Sequence, residues 1–111
     1  MDEQLLLFHT RDEFRNWLQR NHSRDESVWL IFEKGKKSTT LTPQEALEEA
    51  LCFGWIDGQF KKYGESDEAK YIKLFSPRRK KSNWSERNRG LAEELIQSDL
   101  MTEHGLKKIE E

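Results

Sequence analysis

The sequence predicts a small α+β domain in which helices pack on a mixed sheet of about four strands. Its 111 residues are enough for one modest hydrophobic core. Aromatic residues make up 11% of the chain although charged residues make up 36%, which favours a folded, strongly solvated domain over a disordered one. Strand and helix signals follow one another in the order β-α-β-α-β-β-α-α, so residues 1–111 are predicted to form a single domain.

The first part of the chain is predicted to form a β-α-β unit. Gln4 to His9 contains a continuous apolar run, which is typical of a strand covered on both faces. Thr10 then begins a helix, with Glu13 completing a capping box. Ser27 to Glu33 is the clearest strand, and its apolar residues on both faces predict a central position. A short crossover of this kind favours a parallel pair of strands with a right-handed connection.

The middle of the chain is predicted to form a helix and then an antiparallel hairpin. Thr42 marks the helix start, and Gly54 is a left-handed terminator at its end. Residues 55–63 and 69–75 read as two strands joined by a short polar loop. Gly58 inside the first of these strands predicts a bulge or a close approach of backbone.

The last part of the chain is predicted to form two helices after a basic turn. Apolar residues recur at helical spacing from Trp84 to Ile96. Asp99 is predicted to break that helix, and residues 102–111 form a short fourth one. The helix start is marked by the residues Ser82, Asn83, Trp84, Ser85 and Glu86.

The charge of the chain is unevenly distributed although its net value is only −2. Residues 61–90 carry ten lysines and arginines against four acidic residues. Residues 42–60 carry none against four, and residues 91–111 carry two against six. The basic third either forms a binding face or is balanced by the chain's own acidic helices, and the sequence leaves both readings open.

Cysteine content and the N-terminal residues bear on the compartment. Cys52 is the one cysteine, which excludes an intramolecular disulfide and favours a reducing compartment. Its place beside an apolar helix stripe favours an inert small hydrophobe over a nucleophile. The N-terminus is acidic and has a short apolar run, which predicts neither a signal peptide nor a membrane span. We therefore expect a cytoplasmic protein without membrane insertion.

The strongest candidate site is the basic turn within residues 75–88. Pro77 is expected to stiffen a turn after a strand. The cations that follow it and the backbone N–H groups of the next helix start are then expected to point in the same direction, which suits binding of an anion. The alternative is a solvated charge run in which Ser82 or Asn83 only caps the helix. The predicted ligand-binding residues of this segment are Arg78, Arg79, Lys81, Ser82, Trp84, Ser85 and Asn88.

A second candidate feature is the segment GWIDG at residues 54–58. It places Asp57 at a backbone kink formed with Gly58, and we expect the carboxylate to pair with Arg78 or Arg79. Trp55 would then form a stacking wall of the same cleft. The alternative is a helix C-cap with a buried tryptophan and a structural salt bridge.

Together these two segments resemble a known family. The residues ALCFGWIDG at 50–58, followed by FSPRR at 75–79, SNWS at 82–85 and Asn88, are similar to the YdeI/OmpD-associated family, also labelled bacteriocin-protection proteins. The resemblance covers nearly the whole chain, although relatives commonly continue with a further helical region and often have glycine where this chain has Asp99. It implies a role in antimicrobial-peptide tolerance and a porin-associated setting, but it implies no chemistry for particular residues.

The sequence is compatible with three hypotheses about function. The first is a non-enzymatic module that binds a small anionic ligand or an acidic segment of a protein partner at the two candidate features. The second is a nucleic-acid-binding domain that uses cations interleaved with aromatic residues. The third is a small enzyme with Asp57 in its site, a hypothesis that ranks below a binding role. Residues of the second hypothesis are the basic segment PRRKKSNW at 77–84 together with Lys61, Lys62, Tyr63, Lys70, Tyr71, Lys73 and Trp84.

Metal and cofactor chemistry is not predicted. His9, His22 and His104 are scattered and lack the spacing of metal ligands. The chain also lacks a phosphate-binding glycine loop, a GxSxG elbow and a paired-carboxylate pattern. The sequence leaves homo-oligomerisation open.

Overall fold

A computed structural model describes residues 4–34, 38–63, 70–78 and 84–110 of the chain. Its element order is the predicted one, and the fold is an α+β domain with helices packed on a four-stranded mixed sheet. The elements are β1 (Gln4–Leu6), α1 (Arg11–Asn21), β2 (Val28–Glu33), α2 (Pro43–Cys52), β3 (Trp55–Lys62), β4 (Lys70–Pro77), α3 (Glu86–Gln97) and α4 (Glu103–Glu110).

The strands lie in the order β1-β2-β4-β3. β1 pairs with β2 in parallel, which confirms that part of the β-α-β prediction. β4 pairs antiparallel with both β2 and β3, so β2 occupies an interior position as predicted. The loop that joins β3 to β4 lies outside the described residues.

β1 is shorter than predicted and is an edge strand. The backbone N–H groups of His9 and Thr10 donate to the Glu13 carboxylate, at 2.6 and 3.3 Å, which turns the chain out of the sheet after Leu6. Leu5 is consequently exposed, so the prediction of a strand covered on both faces is wrong. The capping box needed for α1 therefore sets the end of β1.

The helix starts follow the predicted capping chemistry, with one correction. Thr10 and Thr42 each form a complete capping box with the glutamate three residues later, Glu13 and Glu45. α3 begins at Glu86 and its N-cap is Ser85, not Ser82 or Asn83. Ser85 is therefore the residue whose oxygen satisfies an orphan backbone donor of the first turn.

The core lies between one face of the sheet and helices α1 and α2. Phe14 of α1 meets Phe75 of β4 edge-on with ring centroids 5.6 Å apart. Trp17 of α1 meets Trp55 of β3 in the same way at 5.8 Å. α2 contributes a fully apolar stripe made of Ala46, Leu47, Ala50 and Leu51.

Two left-handed turns redirect the chain as the sequence predicts. Gly54 has φ +77° directly after α2, which allows β3 to begin at once. Asp99 has φ +61° after α3 and directs the chain toward α4. Thr102 and Gly105 then bring α4 against the end of α2, where the Thr102 backbone N–H donates to the Cys52 carbonyl at 3.0 Å.

No helix within the described ranges combines the length and the apolar character needed to cross a bilayer.

Candidate functional site

The two sequence features meet where β3 begins and β4 ends. The Arg78 backbone N–H donates to the Gly54 carbonyl at 2.8 Å, and Trp55 lies opposite Pro77 in the strand register. The antiparallel pairing of the hairpin causes this meeting, because the start of one strand must lie beside the end of the other. The two motifs are therefore neighbours, but the side chains of Trp55, Asp57 and Arg78, which the structure describes, do not come together as one cleft.

Trp55 lies in the core and not on a cleft wall. Its side chain is fully buried, and its indole Nε1–H donates to the His22 carbonyl at 3.0 Å. A ring packed in this way offers no face to a ligand. The expectation of Trp55 as a stacking wall is therefore wrong, and the alternative of a buried tryptophan holds.

Arg78 and Trp84 form a pair in which the cation covers the ring. The guanidinium carbon of Arg78 lies 3.8 Å from the centre of the Trp84 indole, and Arg78 is only 6% exposed. Burial lowers the pKa of Arg78. A guanidinium that stacks on an indole and is buried to this degree is a packing element of the β4–α3 junction.

The rest of the basic turn divides into a helix cap and an undescribed part. The Asn88 backbone N–H donates to Ser85 Oγ at 3.1 Å, so these two predicted ligand residues form the α3 cap. Arg79, Lys81 and Ser82 lie outside the described residues, and their predicted roles remain predictions. Gly58 lies in an irregularity of β3, which confirms the predicted bulge.

Asp57 pairs with a different cation from those predicted. Its Oδ2 lies 2.9 Å from Lys73 Nζ of the neighbouring strand β4, and both side chains are about one-fifth exposed, at 21% and 22%. The pair holds the Lys73 ammonium against the sheet on the face that bears the helices, because Lys73 lies opposite Leu30 of the core face.

A cleft of about 290 Å³ opens next to this ion pair, at the end of the sheet where β2 ends and β4 begins. Two lysines, two aromatic rings and the first residue of α2 line it. Lys34 Nζ lies 5.4 Å above the Tyr71 ring, so one cation stands on an aromatic wall of the cleft. The lining residues are Lys34, Pro43, Phe60, Tyr71 and Lys73.

The bulge at Gly58 creates this cleft. Asp57 pairs with Phe75, and Phe60 pairs with Lys73. Between these two pairs β3 therefore contains one residue more than β4. This shift moves Phe60 to the helix-bearing face, where its ring meets Tyr71 edge-on at 6.2 Å. It also moves Lys61 to the opposite face, where its Nζ lies 4.6 Å from the Trp29 ring centre.

Sequence reasoning missed Lys34 and Phe60 as site residues, although it named Tyr71 and Lys73 within the nucleic-acid hypothesis. A signal was present in the bulge predicted at Gly58. An extra residue there reverses the alternation of β3 and sends Phe60 to the face of Asp57.

Among the described residues, the charges around the cleft are predominantly positive. Lys34 and Lys73 line it, and Lys62 lies opposite Tyr71 on the same face of the sheet. Among the residues described there, the Asp57 carboxylate adjoins the cleft through its pair with Lys73. An anion entering the cleft meets more positive than negative charge among these groups.

A second depression lies beside Trp84, one of the predicted site residues. It is a groove of about 270 Å³ along α3, and the charged residues that line it among those described are one of each sign, Arg89 and Glu93. The described lining of the lysine cleft has two cations, so it suits an anion better. Its other lining residues are Ala92, Ile96 and Ile109.

A buried ionic cluster that sequence reasoning also missed joins α1 to α2. The Glu49 carboxylate, 3% exposed, lies 2.7 Å from Arg11 and 2.9 Å from Arg15. Arg11 also binds Glu48 at 2.7 Å, and Arg15 donates to the Leu100 carbonyl at 2.8 Å. The two arginines lie one helical turn apart on α1, so both can bind the same carboxylate.

In this cluster burial and ion pairing shift the pKa values in opposite directions. Burial alone would lower the pKa of Arg11, but the hydrogen bonds to Glu48 and Glu49 outweigh it and raise the pKa. Burial alone would raise the pKa of Glu48, but the hydrogen bonds from Arg11 and Gln44 outweigh it and lower the pKa. Burial raises the pKa of the Cys52 thiol, which is fully buried, so the reactive thiolate is disfavoured.

Acid is expected to destabilise the fold through these carboxylates. The pKa of Glu48 is lower in the folded chain than its ordinary value of 4.5, so its contribution to stability is present above that pH and is lost as pH falls through the folded pKa. Glu13 and Glu33 shift in the same direction, mainly through hydrogen bonds from the backbone N–H groups of His9 and Thr39. The urea concentration at the midpoint of unfolding should therefore decrease as the pH is lowered from 6 to 3, and Glu48→Gln should make this decrease smaller. An unchanged pH dependence in Glu48→Gln would contradict this account.

Metal binding finds no site in the part of the chain described. No group of three or more His, Cys, Asp or Glu side chains lies close enough there to hold an ion. His22 and His104 approach each other, with ring centroids 4.5 Å apart, at the contact of α4 with the end of α1.

Comparison with known proteins places the chain in a family. A family model described as a domain of unknown function, DUF8412, matches residues 6–108. The chain belongs to the DUF8412 family. This match runs from β1 into α4, so the lysine cleft, the Asp57–Lys73 pair and the Glu49 cluster are all parts of the DUF8412 domain. Searches of curated proteins and of solved structures found no match to the chain.

Proposed function

We propose that this DUF8412 domain is a non-enzymatic binding module for a small anionic ligand. The observation that supports this most directly is that Lys34 and Lys73 line one cleft. Ammonium groups that line one open cleft can bind phosphate, sulfate or carboxylate oxygens through charge-assisted hydrogen bonds. A cleft of about 290 Å³ suits a small ligand better than a length of folded protein.

Asp57 has a positioning role in this proposal. Its bond to Lys73 holds the ammonium in place before the ligand arrives, which reduces the entropy lost on binding. The same bond competes with the ligand for the charge of Lys73. Asn at this position can still accept a hydrogen bond from the Lys73 ammonium but carries no charge, so Asp57→Asn is expected to preserve anion binding or strengthen it, whereas a site that used Asp57 in catalysis would lose its function.

The process and the compartment that we propose for this protein depend on the sequence alone. The resemblance to the YdeI/OmpD-associated family adds antimicrobial-peptide and stress tolerance as the process in which the bound ligand acts. The single cysteine, Cys52, supports a reducing compartment, and we propose the cytoplasm.

Anion binding at the cleft is tested by calorimetric titration with pyrophosphate at low salt. Lys34→Gln is expected to weaken binding roughly tenfold or more, because a hydrogen bond to a charged group contributes about 1.5–3 kcal/mol. Lys34 is exposed, so its replacement leaves the core intact. Lys107→Gln, an exposed lysine of α4, is the matched control and should bind as the parent does.

Two results would contradict the proposal. One is the absence of binding of pyrophosphate, sulfate and citrate at millimolar concentration. The other is equal weakening by Lys34→Gln and Lys107→Gln, which would indicate a general charge effect without a site.

A further inference from the structure

We infer that the ligand of the lysine cleft carries a flat aromatic ring beside its anionic group, as a nucleotide does. This inference rests on the proposed function and names the class of ligand for the same site. It depends on the aromatic walls of the cleft, which bare anion binding does not use.

The cleft exposes a large aromatic side chain to solvent. Phe60 is 70% exposed on the edge strand β3, although it lies on the same face as the buried core residues. Its ring continues a row that runs outward from Phe32, which is fully buried, through Tyr71, with centroid distances of 5.5 and 6.2 Å. The outer end of this row is open to a ring from outside the chain.

The cations stand where the anionic part of such a ligand would lie. Lys34 lies over Tyr71, and Lys73 lies directly opposite Phe60 in the strand register. A phosphate held by these two ammonium groups places the remainder of the ligand against Phe60 and Tyr71. Aromatic side chains interleaved with cations in this way are the arrangement that binds nucleotide units without reading their sequence.

Two sources share this chemistry: a free nucleotide and a nucleotide unit of a single strand. Stacking of a base on an aromatic ring tolerates any base, because every base has a π-face. The sources differ in their salt dependence, because a strand neutralises several lysines at once and releases more counterions than a mononucleotide.

The test compares AMP with ribose 5-phosphate, which has the phosphate and lacks the base. AMP is expected to bind the parent chain roughly tenfold more tightly. Phe60→Ala should remove this preference, so that the variant binds AMP and ribose 5-phosphate with equal affinity. Leu100→Ala, another exposed apolar side chain, is the control and should keep the preference. Circular dichroism verifies that the Phe60→Ala variant is folded.

Equal affinity for AMP and ribose 5-phosphate would overturn the inference and leave the anion-binding proposal standing. Absence of binding by either compound and by pyrophosphate would overturn both. Self-association of the parent chain that Phe60→Ala abolishes, without a preference for AMP, would assign Phe60 to a contact between copies and overturn the inference. A single-stranded octanucleotide that binds more tightly than AMP, with a steeper salt dependence, would identify the strand as the source.

Discussion

Replacement of both Arg11 and Arg15 by methionine is expected to lower the free energy of unfolding by about 3–5 kcal/mol. The two substitutions leave the buried Glu49 carboxylate without the guanidinium groups that lie 2.7 and 2.9 Å from it. A charge that is removed from water and loses its partners costs more than the pair itself contributes. Methionine keeps much of the aliphatic volume, so the loss reports mainly the charge. Urea unfolding measures it.

A triple variant separates this cause from lost packing. Adding Glu49→Leu to the two methionines removes the stranded carboxylate, and stability should return to within about 1–2 kcal/mol of the parent, since apolar replacements of buried ion clusters are often neutral or better. Arg20→Met, at an exposed position of the same helix, should change stability by less than about 0.5 kcal/mol. A triple variant no more stable than the double one would contradict the account.

Gly105→Ala and Gly90→Ala are expected to change stability in opposite directions. A Cβ at position 105 would lie 2.3 Å from the Cys52 carbonyl oxygen, which belongs to the backbone and cannot move without separating α4 from α2. The Gly105→Ala variant should therefore lose about 1–3 kcal/mol. A Cβ at position 90 meets no atom within 4 Å, and alanine in the middle of α3 should stabilise the fold by about 0.5–1 kcal/mol.

Thermal or urea unfolding of the two variants provides the comparison. Because both positions lie inside helices, the gain in helix propensity is the same for both and only the surroundings differ. Two variants that stabilise to the same extent would indicate that α4 does not pack tightly on α2.

Local signals explain why the order of elements could be predicted. The capping boxes at Thr10 and Thr42 and the left-handed turns at Gly54 and Asp99 depend on residues close in sequence, so each marks its boundary independently of the tertiary fold. The end of β1 could not be predicted in the same way. Its apolar run continues to Phe8, but the backbone N–H groups of His9 and Thr10 donate to Glu13, and the strand ends at Leu6.

The site was predicted less well because its chemistry depends on contacts distant in sequence. Arg78 was expected to meet a ligand because it begins a basic run, whereas its guanidinium stacks on the partly buried indole of Trp84 within the chain. Asp57 was expected to pair with an arginine of the turn and pairs with Lys73, because strand register places the lysine diagonally opposite. The cleft depends on a bulge that exchanges the faces of Phe60 and Lys61, and one residue of register is beyond what alternation alone predicts.

The Glu49 cluster gave no sequence signal that separates it from ordinary helix charges. Glu48 and Glu49 lie side by side in α2, and the sequence does not indicate which of the two is buried. The packing of α1 against α2 decides it, because Arg11 and Arg15 reach both sides of one carboxylate.

The central claim is that the anion binds in the lysine cleft, and amide chemical shifts during a pyrophosphate titration test it most directly. Saturable shifts are expected at Lys34, Phe60, Tyr71 and Lys73, which line the cleft. These shifts should disappear in the Lys34→Gln variant and persist in Lys107→Gln. Shifts confined to the basic segment at residues 79–82 or to the groove beside Trp84 would contradict it.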